Sequence, residues 1–319
     1  QYMRIACFSY IFAGLSFAIT YNSRSIQKPI IPTVINAVAL GLNTILNYAL
    51  IYGHFGFSSQ GVRGAAIATL IARAFELIVM LIFVYSHKDH PFNAKIKELT
   101  AFSKVLFKKV MKTAIPVVFS EGGWSLSVAL IFVAYGMLGT SAFAVSQVAS
   151  VVSELLQAFY FGVGNATAAI IGETLGQGDK DRAYRYAGKS INITRGLNVI
   201  ITIIMILLSK SVANIYNFNE ETTVLLVAAI IAMAVTTTPK MISYMYIVGI
   251  LRAGGDTSFC MKIELVCDLF IQVPLAFFAV LVLKITLPWA MIVVASGEFI
   301  KLFLTWRRYK SKEWINIVT

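Results

Sequence analysis

The chain has 319 residues, of which 58% are hydrophobic and 13% charged, and its mean hydropathy is +0.77. A soluble domain carries about 25% charged residues; half that share, together with apolar runs of about 20 residues or more, excludes a water-soluble globule and makes lipid the solvent. The net charge of +12 would suit a nucleic-acid partner, but its distribution, set out below, argues against one.

Nine membrane-spanning segments are expected, near residues 3–21, 29–52, 62–85, 110–136, 141–171, 190–212, 222–249, 258–283 and 286–306, each bounded by Gly, Pro or charge. Runs of this length in lipid are helices, because a helix satisfies its own backbone. The first follows Gln1 with no basic region ahead of it, and reads neither as a signal peptide nor as a natural start. The second places Asn36, Asn43 and Asn47 on one face, since steps of seven and four return to nearly the same direction. The third holds Arg73 and Glu76 in the middle of an apolar run. An (i, i+3) pair of opposite sign can neutralise itself locally, which makes it tolerable at membrane depth.

In the fourth segment Glu121 lies five residues after Pro116 and just before Gly122-Gly123. Proline and glycine would loosen the helix there and leave room for water or an ion. The fifth carries a polar stripe, Ser146, Ser150, Ser153, Glu154, Gln157 and Tyr160, directed into the bundle or onto a wetted cleft. With Trp124 and Tyr244 it could wall a cavity for organic cations. Next come GQGD and a short amphipathic helix, DRAYRYAGK, capped by Asp179. The seventh segment carries Lys240 after Pro239, and the turn behind it reads RAGGD. Neither glycine stretch fits a phosphate loop; both read as tight interhelical turns. The eighth carries Glu264 and Asp268, and the ninth Glu298 and Lys301. Intramembrane ionisable groups are functional candidates by default, because exposing one to lipid is costly.

Cys7, Cys260 and Cys267 show no paired spacing and read as buried thiols. His54, His87 and His90 fall in loops, so no helix carries a zinc pair. Lys and Arg number 17 in one set of alternate loops, which includes the C-terminal tail, and 3 in the other. The first set is therefore cytoplasmic, and most of the positive charge is this asymmetry.

ARAFELIVML (72–81) laid over GEFIKLFLTW (297–306) superposes Arg73 on Glu298 and Glu76 on Lys301, with signs reversed. NSRSIQKPIIP (22–32) likewise lies over ILRAGGDTSFC (250–260), with Arg24 on Arg252. This is an internal repeat. Residues 104–319 make one six-helix copy, and 1–103 match the last three helices of another, so about 125 residues are expected to be missing ahead of Gln1. An even number of spans per copy puts the pseudo-two-fold axis along the membrane normal.

LNTILNYALIYG (42–53), IPVVFSE (115–121), GETLGQGD (172–179) and GILRAGGDT (249–257) resemble the multidrug and toxic compound extrusion (MATE) transporters. The resemblance runs over the whole chain in order. It implies an all-α polytopic membrane protein of two pseudo-symmetric six-helix lobes, here nine helices. Residues 1–103 would be the second half of the N-lobe with the cytoplasmic inter-lobe linker, and 104–319 the C-lobe. Glu121 matches the family's acidic residue that binds the coupling cation or substrate; a buried carboxyl satisfied by a neighbouring helix is the other reading. Asn43 and Asn47 match two asparagines of an N-lobe cation site; interhelical hydrogen bonding is their other reading. Some relatives carry an acid near Lys240, so the lysine puts a two-carboxylate sodium site in doubt. It either faces Glu121, as a coupled pair suited to exchange, or reaches towards water. Arg73/Glu76 and Glu298/Lys301 read first as structural clamps.

The expected function is a cation-coupled antiporter, using H⁺ or Na⁺, that exports organic cationic or amphipathic compounds by alternating access. It needs a small-molecule substrate and a lipid bilayer, with no cofactor, metal or nucleic acid, as a monomer in the plasma (inner) membrane with a cytoplasmic C-terminus. A flippase for lipid-linked saccharides shares the plan but would want a basic cleft; an enzyme would need a converging His, Cys or Asp cluster, which the sequence lacks.

Overall fold

The computed structural model describes residues 2–25, 28–86, 93, 103–216 and 218–315. Among these residues it contains nine helices long and apolar enough to cross a membrane. They are α1 (Tyr2–Ser25), α2 (Ile30–Tyr52), α3 (Gly61–Ser86), α4 (Lys104–Gly136), α5 (Thr140–Gly176), α6 (Lys180–Ile215), α7 (Glu220–Leu251), α8 (Thr257–Val282) and α9 (Leu287–Ser311). This is an all-α, multi-pass membrane protein. His87 and His90 and most of the stretch from 87 to 102 lie outside the described residues.

The contacts divide the chain into two compact units, Gln1–Ser103 and Lys104–Thr319. In the first, α3 packs against both α1 and α2. Gly64 allows α3 to approach the Leu50 carbonyl so closely that a Cβ would lie 2.6 Å from it. Small residues serve this purpose in membranes, where close backbone approach replaces the hydrophobic effect as the source of association. In the second unit α7 is central, packed by α5, α6 and α9, while α8 joins α4 to α9. Its core is rich in alanine, with Ala134, Ala149, Ala229 and Ala290 fully buried.

Several helices outrun the apolar segments that mark them. α4 starts at Lys104 rather than 110, and DRAYRYAGK is not a separate helix but the first turns of α6. Apolarity records depth in lipid, whereas helix ends follow caps and turns. Asp179 does cap α6, its carboxylate accepting from the Arg182 N–H at 2.9 Å. Asn219 caps α7 in the same way, with Glu220 and Glu221 in the first turn where the helix dipole favours negative charge.

The two glycine stretches are turns. Gly178 and Gly255 adopt positive φ (83° and 85°), which glycine does without strain. Beside Gly255, a Cβ on Gly254 would collide with the Trp314 backbone, so the C-terminal segment folds directly onto this turn. Arg308 fastens it by donating to Asp256 at 2.6 Å and pairing with Glu313. Cys260 and Cys267 are buried, but Cys7 is exposed, correcting its reading as a buried thiol.

α7 and α8 are not uniformly α-helical. Met245–Leu251 and Leu265–Gln272 form wide π-helical turns, and so do residues Phe278–Val282. Such turns concentrate at functional positions, because they re-aim side chains off the regular helical faces. The second of them carries Asp268 and Gln272.

Candidate functional site

The Lys104–Thr319 unit holds a half-open cavity of about 160 Å³. One stripe of each of five helices lines it: Trp124, Ser127 and Tyr135 from α4; Ser150, Ser153 and Gln157 from α5; Thr236, Thr237 and Lys240 from α7; Asp268 and Gln272 from α8; Met291, Val294 and Glu298 from α9. Spacings of three and four put these side chains on one face of their helices. Most charged residues of these helices lie towards their ends, so the polar residues at mid-helix gather largely on the cavity face, with Glu154 an exception.

One wall is a charged cluster. Lys301 Nζ lies 2.6 Å from Asp268 Oδ1 and 3.0 Å from Glu298 Oε1. The Gln272 amide donates to the same two oxygens, at 2.9 Å and 3.0 Å. All four side chains are buried. Lys301 thus bonds two carboxylates, not only the Glu298 one turn before it. Buried charges survive only when paired and hydrogen-bonded, and this arrangement supplies both. Lys240 lines the same cavity but, among the described residues, forms no ion pair and no hydrogen bond. Asp268 enters the site though its sequence reading stopped at an intramembrane acid, and Gln272 was missed altogether. The (i, i+4) spacing of Asp268 and Gln272 was the available signal, since residues so spaced meet on one face.

Glu121 does not face Lys240, which corrects that reading. Its Oε1 pairs with Arg252 Nη1 at 2.6 Å, at the turn after α7. Arg252 Nη2 also pairs with Glu264 at 2.7 Å and donates to Ser120 Oγ at 3.2 Å, while Ser120 donates to Glu264. Burial works to lower the pKa of the Arg252 guanidinium, but the Glu264 and Glu121 carboxylates more than offset this and hold it above the ordinary arginine value. Nor does Gly123 leave room for an ion: a Cβ there would overlap Leu265 of α8, so the glycine serves helix approach.

The other expected wall residues separate. Trp124, Ser150 and Gln157 line the cavity. Glu154 is exposed and off the wall, one position round the helix from the buried stripe. Tyr160 is buried in the core outside the cavity lining, and Tyr244 packs its ring on Phe161 and over Gly164. Asn36 belongs to the other unit.

In that other unit, Arg73 pairs with Glu76 at 2.6 Å, and Asn47 donates to Asn43 Oδ1 at 2.9 Å. The offset of 225 that superposes Arg73 on Glu298 also superposes Asn43 on Asp268 and Asn47 on Gln272. The hydrogen bond is repeated with the residues: amide to the oxygen four residues earlier, at 2.9 Å in both copies.

The MatE family model matches residues 116–278. Among curated proteins, the uncharacterized transporter YisQ of Bacillus subtilis is 26% identical over 281 residues, covering 87% of this chain and 61% of its own length. The probable multidrug resistance protein NorM of Pasteurella multocida is 26% identical over 274 residues, 82% of this chain and 57% of that one. The chain therefore spans about three-fifths of the length of these relatives. Among solved structures, a MATE protein crystallised with MaL6 superposes with a TM-score of 0.83 at 18% identity, over 98% of this chain and 70% of that one. A MOP superfamily transporter from Pyrococcus furiosus, described as having a binding pocket of reverse polarity, gives 0.77 at 18% identity over 89% and 62%. The family is one of transporters rather than enzymes, and this chain, with the matching model across half its length and the shared fold across nearly all of it, belongs to the MatE family.

Proposed function

We propose that this protein is an exporter of organic, cationic or amphipathic compounds, driven by exchange against H⁺ or Na⁺. The observation that carries this reading is the polar cavity bounded by Lys240, Asp268, Gln272 and Glu298 inside an otherwise apolar bundle. Ionisable groups at membrane depth mark ion and substrate pathways. The relatives named as multidrug resistance proteins support the substrate class. Trp124 and Tyr135 offer aromatic faces to an organic cation.

In this proposal residues 104–319 belong to the C-lobe and 1–103 to the N-lobe. Access to the cavity alternates as the lobes move, in a plasma membrane with the C-terminus on the cytoplasmic side. An ion or ligand can shift that equilibrium only by binding one arrangement more tightly than the other. The Glu121–Arg252–Glu264 cluster, with Glu121 half-exposed, is placed to break and reform as α4 moves against the turn. Asn43 and Asn47 remain candidates for an ion site in the first unit.

The test is uphill efflux of a cationic dye from vesicles holding the protein expressed from its complete reading frame. Efflux should follow an imposed proton or sodium gradient and stop when it is collapsed. Efflux indifferent to both gradients would overturn the antiport reading.

A further inference from the structure

We propose that Lys240 is the tethered counter-cation of the cavity, so that the Asp268–Glu298 cluster holds an ammonium group where a buried carboxylate pair would otherwise recruit a metal cation such as sodium. Two carboxylates of the cluster are bridged by a single ammonium, Lys301. Gln272 adds hydrogen bonds but no charge. The cluster is therefore left with one excess negative charge, and Glu298 Oε2 is buried with no hydrogen-bond partner among the described residues. Excess negative charge in a small cavity inside lipid must be neutralised, by a proton or by a cation.

Lys240 supplies it from the facing helix. Its side chain lines the same cavity as Glu298 and Asp268. No carboxylate lies within ion-pair distance of its ammonium among the described residues, so Lys240 acts on the cluster across the shared cavity and not by direct contact. With Lys240 counted, two ammonium groups balance two carboxylates and the site carries no net charge. The two lysines differ in freedom. Lys301 is fixed by two oxygens, whereas the Lys240 ammonium sits on a flexible stem beside a cavity large enough for water or part of a ligand. A sodium ion entering would meet this mobile positive charge. The cluster excludes it, and Lys240 determines that selectivity.

This deepens the reading of the cavity as an exchange site, and it is tested by binding rather than transport, so that its failure and that of the exporter reading can be told apart. Radioactive sodium is equilibrated with the purified protein, expressed from its complete reading frame, in detergent. The native protein and Lys240→Arg should show no saturable binding at this site. Lys240→Ala and the volume-conserving Lys240→Met should bind sodium about 100-fold more tightly, the order of change expected on removing one like charge from the same cavity at an effective dielectric constant near 20. Adding Asp268→Asn to either should abolish the gain. Saturable sodium binding by the native protein that Asp268→Asn removes would overturn the proposal. So would monodisperse Lys240→Ala or Lys240→Met protein that gains none.

Discussion

The charge pairs of α3 and α9 occupy equivalent places in the repeat yet are held differently. In α3 the Arg73–Glu76 pair stands with 39% of the arginine side chain exposed and 1% of the glutamate. In α9 the Glu298–Lys301 pair is 8% exposed on both sides, and Lys301 bonds Asp268 as well. The difference goes with two changes: the signs of the pair are reversed, so that Lys301 stands where α3 has Glu76, and the neighbouring helix differs at one position. Where α2 has Asn43, α8 has Asp268. A neutral asparagine is satisfied by the Asn47 amide; a carboxylate at that depth needs a cation, and the lysine of the next helix provides it. An acid in place of an amide, met by a lysine in place of an acid, separates a charged cavity wall from a local clamp.

The comparison predicts a graded set of losses. Lys301→Met leaves two buried carboxylates without their shared ammonium and should cost roughly 3–5 kcal/mol. Folded protein recovered from membranes should fall sharply, and Asp268→Asn with Glu298→Gln should restore much of it. Arg73→Gln strands only Glu76, and a partly exposed guanidinium contributes less, so about 2 kcal/mol is expected, read as a smaller drop in thermal stability. Equal losses for Lys301→Met and Arg73→Gln would mean that the third partner adds nothing. Gln272→Ala removes a donor shared by two carboxylates and should cost about 1.5 kcal/mol. Its counterpart Asn47→Ala loses one part-buried hydrogen bond between neutral amides within α2, about 0.5 kcal/mol. Thermal unfolding of these two variants side by side checks that ordering.

Much of this was legible in the sequence. Nine apolar segments became nine helices among the described residues, because lipid leaves the backbone no other solution. The (i, i+3) pairs formed as spaced, because their geometry is local to one helix. The partner of Glu121 was misjudged for the opposite reason. By chain position Glu121 lies mid-helix, but α4 begins well before its apolar run, and its partner is set by packing against a turn 131 residues away. No periodicity reports such a contact. The full α9 cluster was half-readable: the repeat offset found from Arg73 and Glu298 also carries Asn43 and Asn47 onto Asp268 and Gln272. The approach of Lys301 to Asp268 was not readable, since it depends on how α8 and α9 face each other and on the π-helical turn that aims Asp268 inward.

The central claim is that the cavity between α4, α5, α7, α8 and α9 is where transport is coupled to an ion. Asp268→Asn tests it most directly. The substitution keeps the shape and the hydrogen bond from Gln272, and Lys301 retains Glu298, so the protein should reach the membrane at near-native abundance. Dye efflux is then measured in vesicles under imposed proton and sodium gradients, normalised to the amount of folded protein. The account predicts that gradient-driven efflux is lost while abundance is kept. Undiminished efflux by Asp268→Asn would contradict it and reduce the cluster to a clamp like that of α3.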